Sequence, residues 1–518
     1  MNKLLKYVVA SVMCSMALSS CTPHFPESSY DTQTRPDISP DFQNVTVPVN
    51  ISPTNFYLKG DWEATALKIS GEKGETIEVI GDSKNNFVID VPSWKKLLAN
   101  NVGGTLSFDV YAKKEGRWLH FEPFNETVSP DSIDRYLTYR LIEPSYMGTG
   151  LIGIFQSDLE TGETQSIFEN KFFHRDPHVR TQKCVNCHTA QRNHPENKMF
   201  YFRGPNGGLI LTYNGQVKKI NTRTKEMFAG TVYPAWHPNL PYIAFSSNVI
   251  KQCFSSNDKN KVEPFDFYSD LVLYDIEKNT ISPIQNTRLK QETNPNWSPD
   301  GKYLYYNVSD SVFTVCNNYR HLLYDIYRIP FNVDSLSWGE PELVYAAAKD
   351  KRSATYPRVS PDGKFLAFTG ALYGTSTQTN RTADLFIMNL ETKEVRNMSE
   401  VNSPTESDSY HDWSSESRWL VVSSRRGDGN YSRPYFAHID EEGKSGKPLP
   451  MPHSYPRYDD DLLKNYNVVE FSSAPVVKTY ADFLSVIQKD EIKANSGFPE
   501  NTSVEPDGIT GATSPRTR

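Results

Sequence analysis

The chain has 518 residues, 37% of them hydrophobic and 23% charged, with a mean hydropathy of −0.57. That length suggests two or three domains, and the composition excludes both a polytopic membrane protein and a wholly disordered chain. A net charge of −7 gives no basic footprint for nucleic acid, 12% aromatic residues favour β structure, and six cysteines are too few for a disulfide scaffold of this size.

Lys3 and Lys6 precede an apolar run from Tyr7 to Leu18. It has the length of a signal-peptide core and is too short to span a bilayer. The run ends in Leu18-Ser19-Ser20-Cys21, which resembles a bacterial lipobox; the resemblance implies cleavage before Cys21 and lipidation of that residue. A plain secretory signal with an incidental cysteine is the alternative. Residues 1–20 then read as a lipoprotein signal peptide and 21–43, rich in Pro, Ser, Thr and Asp, as a flexible tether. The mature protein is expected in the bacterial cell envelope, lipid-anchored to the outer membrane on its periplasmic or surface face.

From 44 to 130, short alternating runs such as Thr76–Ile80, Phe87–Val91 and Thr105–Tyr111 are separated by Gly, Asn and Asp clusters. The spacing predicts a small β-sandwich, immunoglobulin-like in texture.

The larger remainder contains an internal repeat. Windows starting at Tyr233, Asn294, Tyr356 and Tyr410 align without gaps, their starts 61, 62 and 54 residues apart. Each reads strand, tight turn, strand, with Pro-Asp-Gly or a variant at the turn. A further strand follows each window, which gives about four strands per unit, one propeller blade. Trp297-Ser-Pro-Asp-Gly301 carries the turn whole, Ser360–Gly363 lacks only the Trp, and the Trp413 and Trp236 windows are partial.

These windows resemble the WD40-like (PD40) repeats of TolB-like β-propeller lipoproteins of Bacteroidetes, and residues 131–478 resemble them more broadly. The resemblance implies an all-β chain: a sandwich, then a propeller. Segments 136–170 and 206–228 share the strand-turn-strand texture, so six blades are expected, with seven as the alternative, and Asn467–Phe471 is the candidate for closing the ring. Residues 479–518 read as a C-terminal tail.

Cys184-Val185-Asn186-Cys187-His188 is the motif with chemistry. Two thiols at this spacing can add to both vinyl groups of one haem, with the adjacent histidine facing the iron. A redox dithiol or half a zinc site is the competing reading. Export favours haem c, since cytochrome c maturation takes place outside the cytoplasm; no second Cys-x-x-Cys completes a zinc ribbon, and no thioredoxin-like context surrounds the pair. The haem is expected in a segment, 171–204, inserted in the propeller. His188 is the proximal iron ligand. Met199, His194, His174 and His178 are distal candidates, and the resemblance favours Met199; a core position for Met199 and an open sixth site stay as alternatives.

The functional expectation is a membrane-anchored haem c protein that exchanges electrons with a partner redox protein. A TolB-like scaffold that bridges envelope proteins without redox chemistry is the second reading. A serine peptidase is set aside, because the chain has no Gly-x-Ser-x-Gly and only about forty residues after the last strand; an electron carrier or binding protein is expected rather than an enzyme. Cys253 and Cys316 lie at similar offsets after two windows and are candidates to pair. The tail contains Asp507-Gly-Ile-Thr-Gly-Ala-Thr513, which looks like the motif of FMN-binding proteins; the match implies flavin attachment at Thr513, with a coincidental tail as the alternative.

Overall fold

Each of the four repeat windows folds as its turn chemistry requires. In a computed structural model, residues 25–144, 151–173, 184–204, 207–285, 287, 289–311, 319–500 and 502 are described. The Ser298 hydroxyl donates to Asp300 at 2.6 Å and accepts from the Tyr303 amide at 3.0 Å. Ser360 repeats both bonds, to Asp362 at 2.5 Å and from Phe365 at 2.9 Å. Gly301 and Gly363 hold φ at 74° and 76°, a region that a Cβ disfavours. Ser417 stands at the matching place in the fourth window with φ 62°, and the Ser414 hydroxyl there accepts from the Trp419 amide.

Among the described residues, six sheets built mainly of antiparallel strands are the blades of a propeller. Blade 1 comprises Tyr136–Ile142, Gly153–Asp158 and Glu163–Glu169, with Asn465–Ser472 as its inner strand. Blade 2 runs from Cys184–Gln191 outward through His194–Arg203 and Gly208–Tyr213 to Gln216–Asn221. Blades 3 to 6 begin with Thr231–Trp236, Lys290–Trp297, Ser353–Val359 and Asp408–Trp413. The six inner strands neighbour one another in a closed ring, with Asn465–Ser472 between Asp408–Trp413 and Cys184–Gln191. The strand expected at Asn467–Phe471 therefore joins the first and last blades.

Indole N–H groups stitch adjacent blades together. Trp297 donates to the Ala235 carbonyl at 3.2 Å and Trp413 to the Arg358 carbonyl at 3.0 Å. Ala235 and Arg358 hold the same place in their own windows, so the two tryptophans are equivalent.

The N-terminal unit has a seven-stranded and a three-stranded sheet, plus a helix, α1 (Val91–Asn100). The sequence reading took Phe87–Val91 as a strand. Asp90 instead caps α1 by accepting from the Ser93 amide, Pro92 follows at the first turn, and Trp94, Leu97 and Leu98 form its buried face. The tether also needs correction from residue 25 onward. Tyr30–Asp31 pairs with Leu119–His120, Ile38–Ser39 pairs with Tyr57–Leu58, and Phe42 is fully buried. Two apolar anchors outweigh the polar composition around them. One apolar cluster runs from this unit into Trp419, Phe436 and Tyr466 of the propeller, so the two units share a core.

Part of the tail is structured as well. Helix α2 (Tyr480–Ile487) buries Phe483 and Ile487 beside Phe168 and Phe200. Ile492–Lys493 and Asn495–Ser496 add parallel edge strands to blades 2 and 3. They cover backbone groups that an outermost strand would otherwise present to solvent.

Gly363→Ala should cost about 1–2 kcal/mol from backbone strain alone, since its Cβ would meet nothing within 4 Å. Gly301→Ala should cost more, because its Cβ would lie 2.4 Å from Cε1 of His237; equal losses in urea denaturation would contradict this. Glu126 is fully buried in the N-terminal unit, and burial, only partly offset by the Thr54 hydroxyl, pushes its pKa well above the usual 4.5. The folded state thus holds a proton that the unfolded chain releases. Stability from this group is complete below the unfolded pKa and falls as pH rises toward the folded one. Glu126→Gln should flatten that loss of stability above the ordinary carboxylate range, read from melting curves across pH.

Candidate functional site: the propeller channel

The inner strands share one backbone feature. Cys187, Tyr233, Asn294, Tyr356, Tyr410 and Val468 all have positive φ, between 42° and 53°, and each marks a register shift against the next strand. These are β-bulges, which bend a strand and re-aim its side chains. Cys187 is thus the blade 2 counterpart of three channel tyrosines. The residue after it, His188, matches Pro234, Pro295, Pro357, His411 and Val469.

The haem segment was expected as an insertion. Cys184–Gln191 is instead the inner strand of blade 2 and His194–Arg203 its second strand. In a regular strand, residues three apart point to opposite faces. Here Cys184 packs against the cluster that holds Val185 and Phe200, and Cys187 against the one that holds Met199 and Tyr201. Even so, both cysteines and His188 line one cavity of about 890 Å³ along the propeller axis. Tyr233, Tyr356 and Tyr410 give it an aromatic wall. The Tyr356 and Tyr410 rings lie 4.9 Å apart, and Tyr233 and Tyr356 6.5 Å apart.

Glu470, on the closing strand, organises the blade 2 side. It accepts from the Thr189 hydroxyl at 2.6 Å, the Ala190 amide at 3.1 Å and His188 Nδ1 at 3.3 Å. With Nδ1 carrying the proton toward Glu470, the lone pair of His188 rests on Nε2. That atom is buried without a partner. A histidine whose second nitrogen donates to a carboxylate is the usual arrangement behind a metal. The donor set fits a haem: two thiols, a histidine with an open Nε2, and aromatic walls on a cavity of ligand size.

The other expected ligands are placed differently. Met199 is fully buried in the cluster between blades 2 and 3 and does not border the large cavity. It borders, together with His188, a void of about 10 Å³. His194 is exposed at the blade 2 hairpin, paired with Gln191. His174, His178, Cys21, Cys316 and Thr513 lie outside the described residues.

Sequence reasoning missed the residues that charge the channel. Arg140, Arg192, Arg203 and Arg358 line the cavity, and none has a carboxylate within 4 Å among the described residues. Asp412 lines it too, accepts from the Phe471 amide at 2.9 Å, and is pushed up to about 8 by burial, with Glu470 adding to the shift. Lys198 is buried near Glu470, and desolvation lowers it to about 7. His411 Nε2 is a further buried atom without a partner. The inner-strand register was the available signal, since it places His411 opposite His188 in the repeat.

No family model and no curated protein sequence matches the chain. Among solved structures, a DUF4784 family protein from Bacteroides caccae aligns over 70% of this chain and 94% of its own, at 9% identity and a TM-score of 0.27. The β-propeller domain of Cps50 (Swd1) from Myceliophteria thermophila aligns over 73% and 96%, at 12% identity and 0.32. Prolyl oligopeptidase B from Galerina marginata aligns over 61% and 44%, at 10% identity and 0.33. At these scores they say nothing of ligand or activity.

Core placement makes Met199 testable. Met199→Ala should cost about 2–5 kcal/mol in chemical denaturation, as buried truncations do. A loss below about 1 kcal/mol would mean that the side chain is not packed as described.

Proposed function

We propose that the chain is an extracytoplasmic haem c protein in which a β-propeller channel holds the haem and passes electrons to or from a partner redox protein. The observation that carries this reading is the environment of His188. Its Nδ1 is committed to Glu470, its Nε2 is buried without a partner, and Cys184 and Cys187 border the same cavity. Cys184 and Cys187 would hold the haem through thioethers and His188 would bind its iron. A haem held there supplies one-electron chemistry.

The chain's own residues do the rest. Glu470 fixes the tautomer and ring orientation of His188 and raises its basicity. The channel tyrosines exclude water from the faces of a flat ligand, and the blades keep the walls rigid. An environment of this kind sets a potential without reorganising around each electron. The lipid anchor at Cys21 and the flavin on Thr513 remain proposals that rest on the sequence alone; with both, the protein would be a tethered relay between a two-electron and a one-electron carrier.

Expressed with a cytochrome c maturation system, the full chain should give the pyridine haemochrome spectrum of haem c, and the peptide with Cys184 and Cys187 should gain the mass of one haem. Cys184→Ser with Cys187→Ser should abolish both signals. His188→Ala should keep the covalent mass and lose the native iron spectrum. Met199→Leu should leave that spectrum unchanged; loss of a sulfur-to-iron band would return Met199 to the iron. Wild-type protein without haem would leave the scaffold reading in its place.

A further inference from the structure

Arg140 is a buried cation that faces a cavity. It lies in the blade 1 strand Tyr136–Ile142 and is only 6% exposed. Its Nη2 donates to Oδ1 of Asn467, while its Nε is buried without a partner. Nδ2 of Asn467 is a second buried donor without a partner, and Asn467 is 1% exposed. Both residues line the channel cavity, as does Cys184.

Burying a guanidinium costs several kcal/mol unless an anion faces it. No carboxylate among the described residues lies within 4 Å of Arg140. Glu470 directs its oxygens at Thr189, Ala190 and His188, and Asp412 accepts from a backbone amide. Arg192, Arg203 and Arg358 border the same space, so a chain with net charge −7 encloses a cationic channel. Two unpartnered N–H donors on two hydrogen-bonded residues, one of them charged, offer the pair of bonds that a carboxylate accepts.

We propose that the channel contains a carboxylate site whose buried anchor is Arg140, with Asn467 as the second donor. Resting on the haem reading, the carboxylate is a propionate of the haem bound at Cys184 and Cys187; a small free carboxylic acid is the other source of the same chemistry. Arg140 and Asn467 would then fix the far edge of the ligand while the cysteines fix the near one.

The test has two arms. In the first, haem-loaded full-length wild type, Arg140→Gln and Arg140→Lys are compared by resonance Raman spectroscopy and by redox titration. Arg140→Gln should shift the propionate bending band, which reports hydrogen bonding to the carboxylate, and lower the midpoint potential, because a nearby positive charge favours ferrous iron. Arg140→Lys should restore the potential and only part of the band. In the second arm, the full chain made without the maturation system is titrated with citrate by calorimetry. Binding that weakens at least about tenfold in Arg140→Gln and in Asn467→Ala supports the site. If Arg140→Gln fails to fold, judged by circular dichroism, Asn467→Ala takes its place in both arms.

A band shift assigns the carboxylate to the haem. An unshifted band with citrate binding that depends on Arg140 supports the site and assigns it to a free acid. An unshifted band with no such citrate binding overturns the proposal. Should wild type carry no haem at all, the haem reading fails by itself, and the citrate arm alone decides.

Discussion

Ring closure falls to one strand. Asn465–Ser472 arrives from the end of the propeller, becomes the inner strand of blade 1, and lies against the inner strands of blades 6 and 2. Glu470 is its working side chain. The three hydrogen bonds it accepts all come from Thr189, Ala190 and His188 of blade 2, so the carboxylate that locks the ring also orients the histidine of the Cys-x-x-Cys-His motif. Mechanical closure and the candidate ligand are therefore coupled. A bond to a charged acceptor is stronger than a neutral one, and disturbing it should loosen blade 2 from the closing strand of blade 1.

The bulge is the second constraint. Six inner strands place a left-handed residue at one position, although only Asn294 is of a type that tolerates it readily. Such conformations cost about 1–3 kcal/mol each and persist where the surroundings over-determine them. In return, each bulge turns neighbouring side chains toward the axis. One backbone geometry thus displays Tyr, Asn, Val or Cys to the same channel; the repeat supplies the position, and the side chain decides the chemistry.

Much of the fold was legible because turn chemistry is local. The Ser-Pro-Asp-Gly windows fix a hydroxyl, a carboxylate and a positive φ within four residues, and those units fold as read. Blade 2 lacks the repeat signature because its inner strand keeps the bulge but has Ala190 and Gln191 where blades 3, 4 and 6 place Trp followed by His or Ser. Its motif then looked like an insertion. Residues 25–43 and 479–498 read as tether and tail because polar composition hides single anchors: Ile38, Phe42, Phe483 and Ile487. The motif cysteines and histidine were visible by spacing. Arg140, Asn467, Glu470 and His411 were not, since they come from blades 1 and 6 and meet Cys184–His188 only when the ring closes.

The channel also carries a pattern that packing alone does not explain. Protein interiors rarely leave buried polar atoms unpaired, because each such atom costs about 1–3 kcal/mol. Here His188 Nε2, Arg140 Nε, Asn467 Nδ2 and His411 Nε2 are all in that state, and all four residues border one cavity. A propeller that served only as a scaffold could fill those positions with the proline, valine or tyrosine that its other blades use. Retaining unpaired donors and a lone pair around a common space makes sense if a ligand completes them. On the haem reading proposed above, that ligand would lie flat against the aromatic wall, present an anionic edge to Arg140, and be bound through the imidazole of His188.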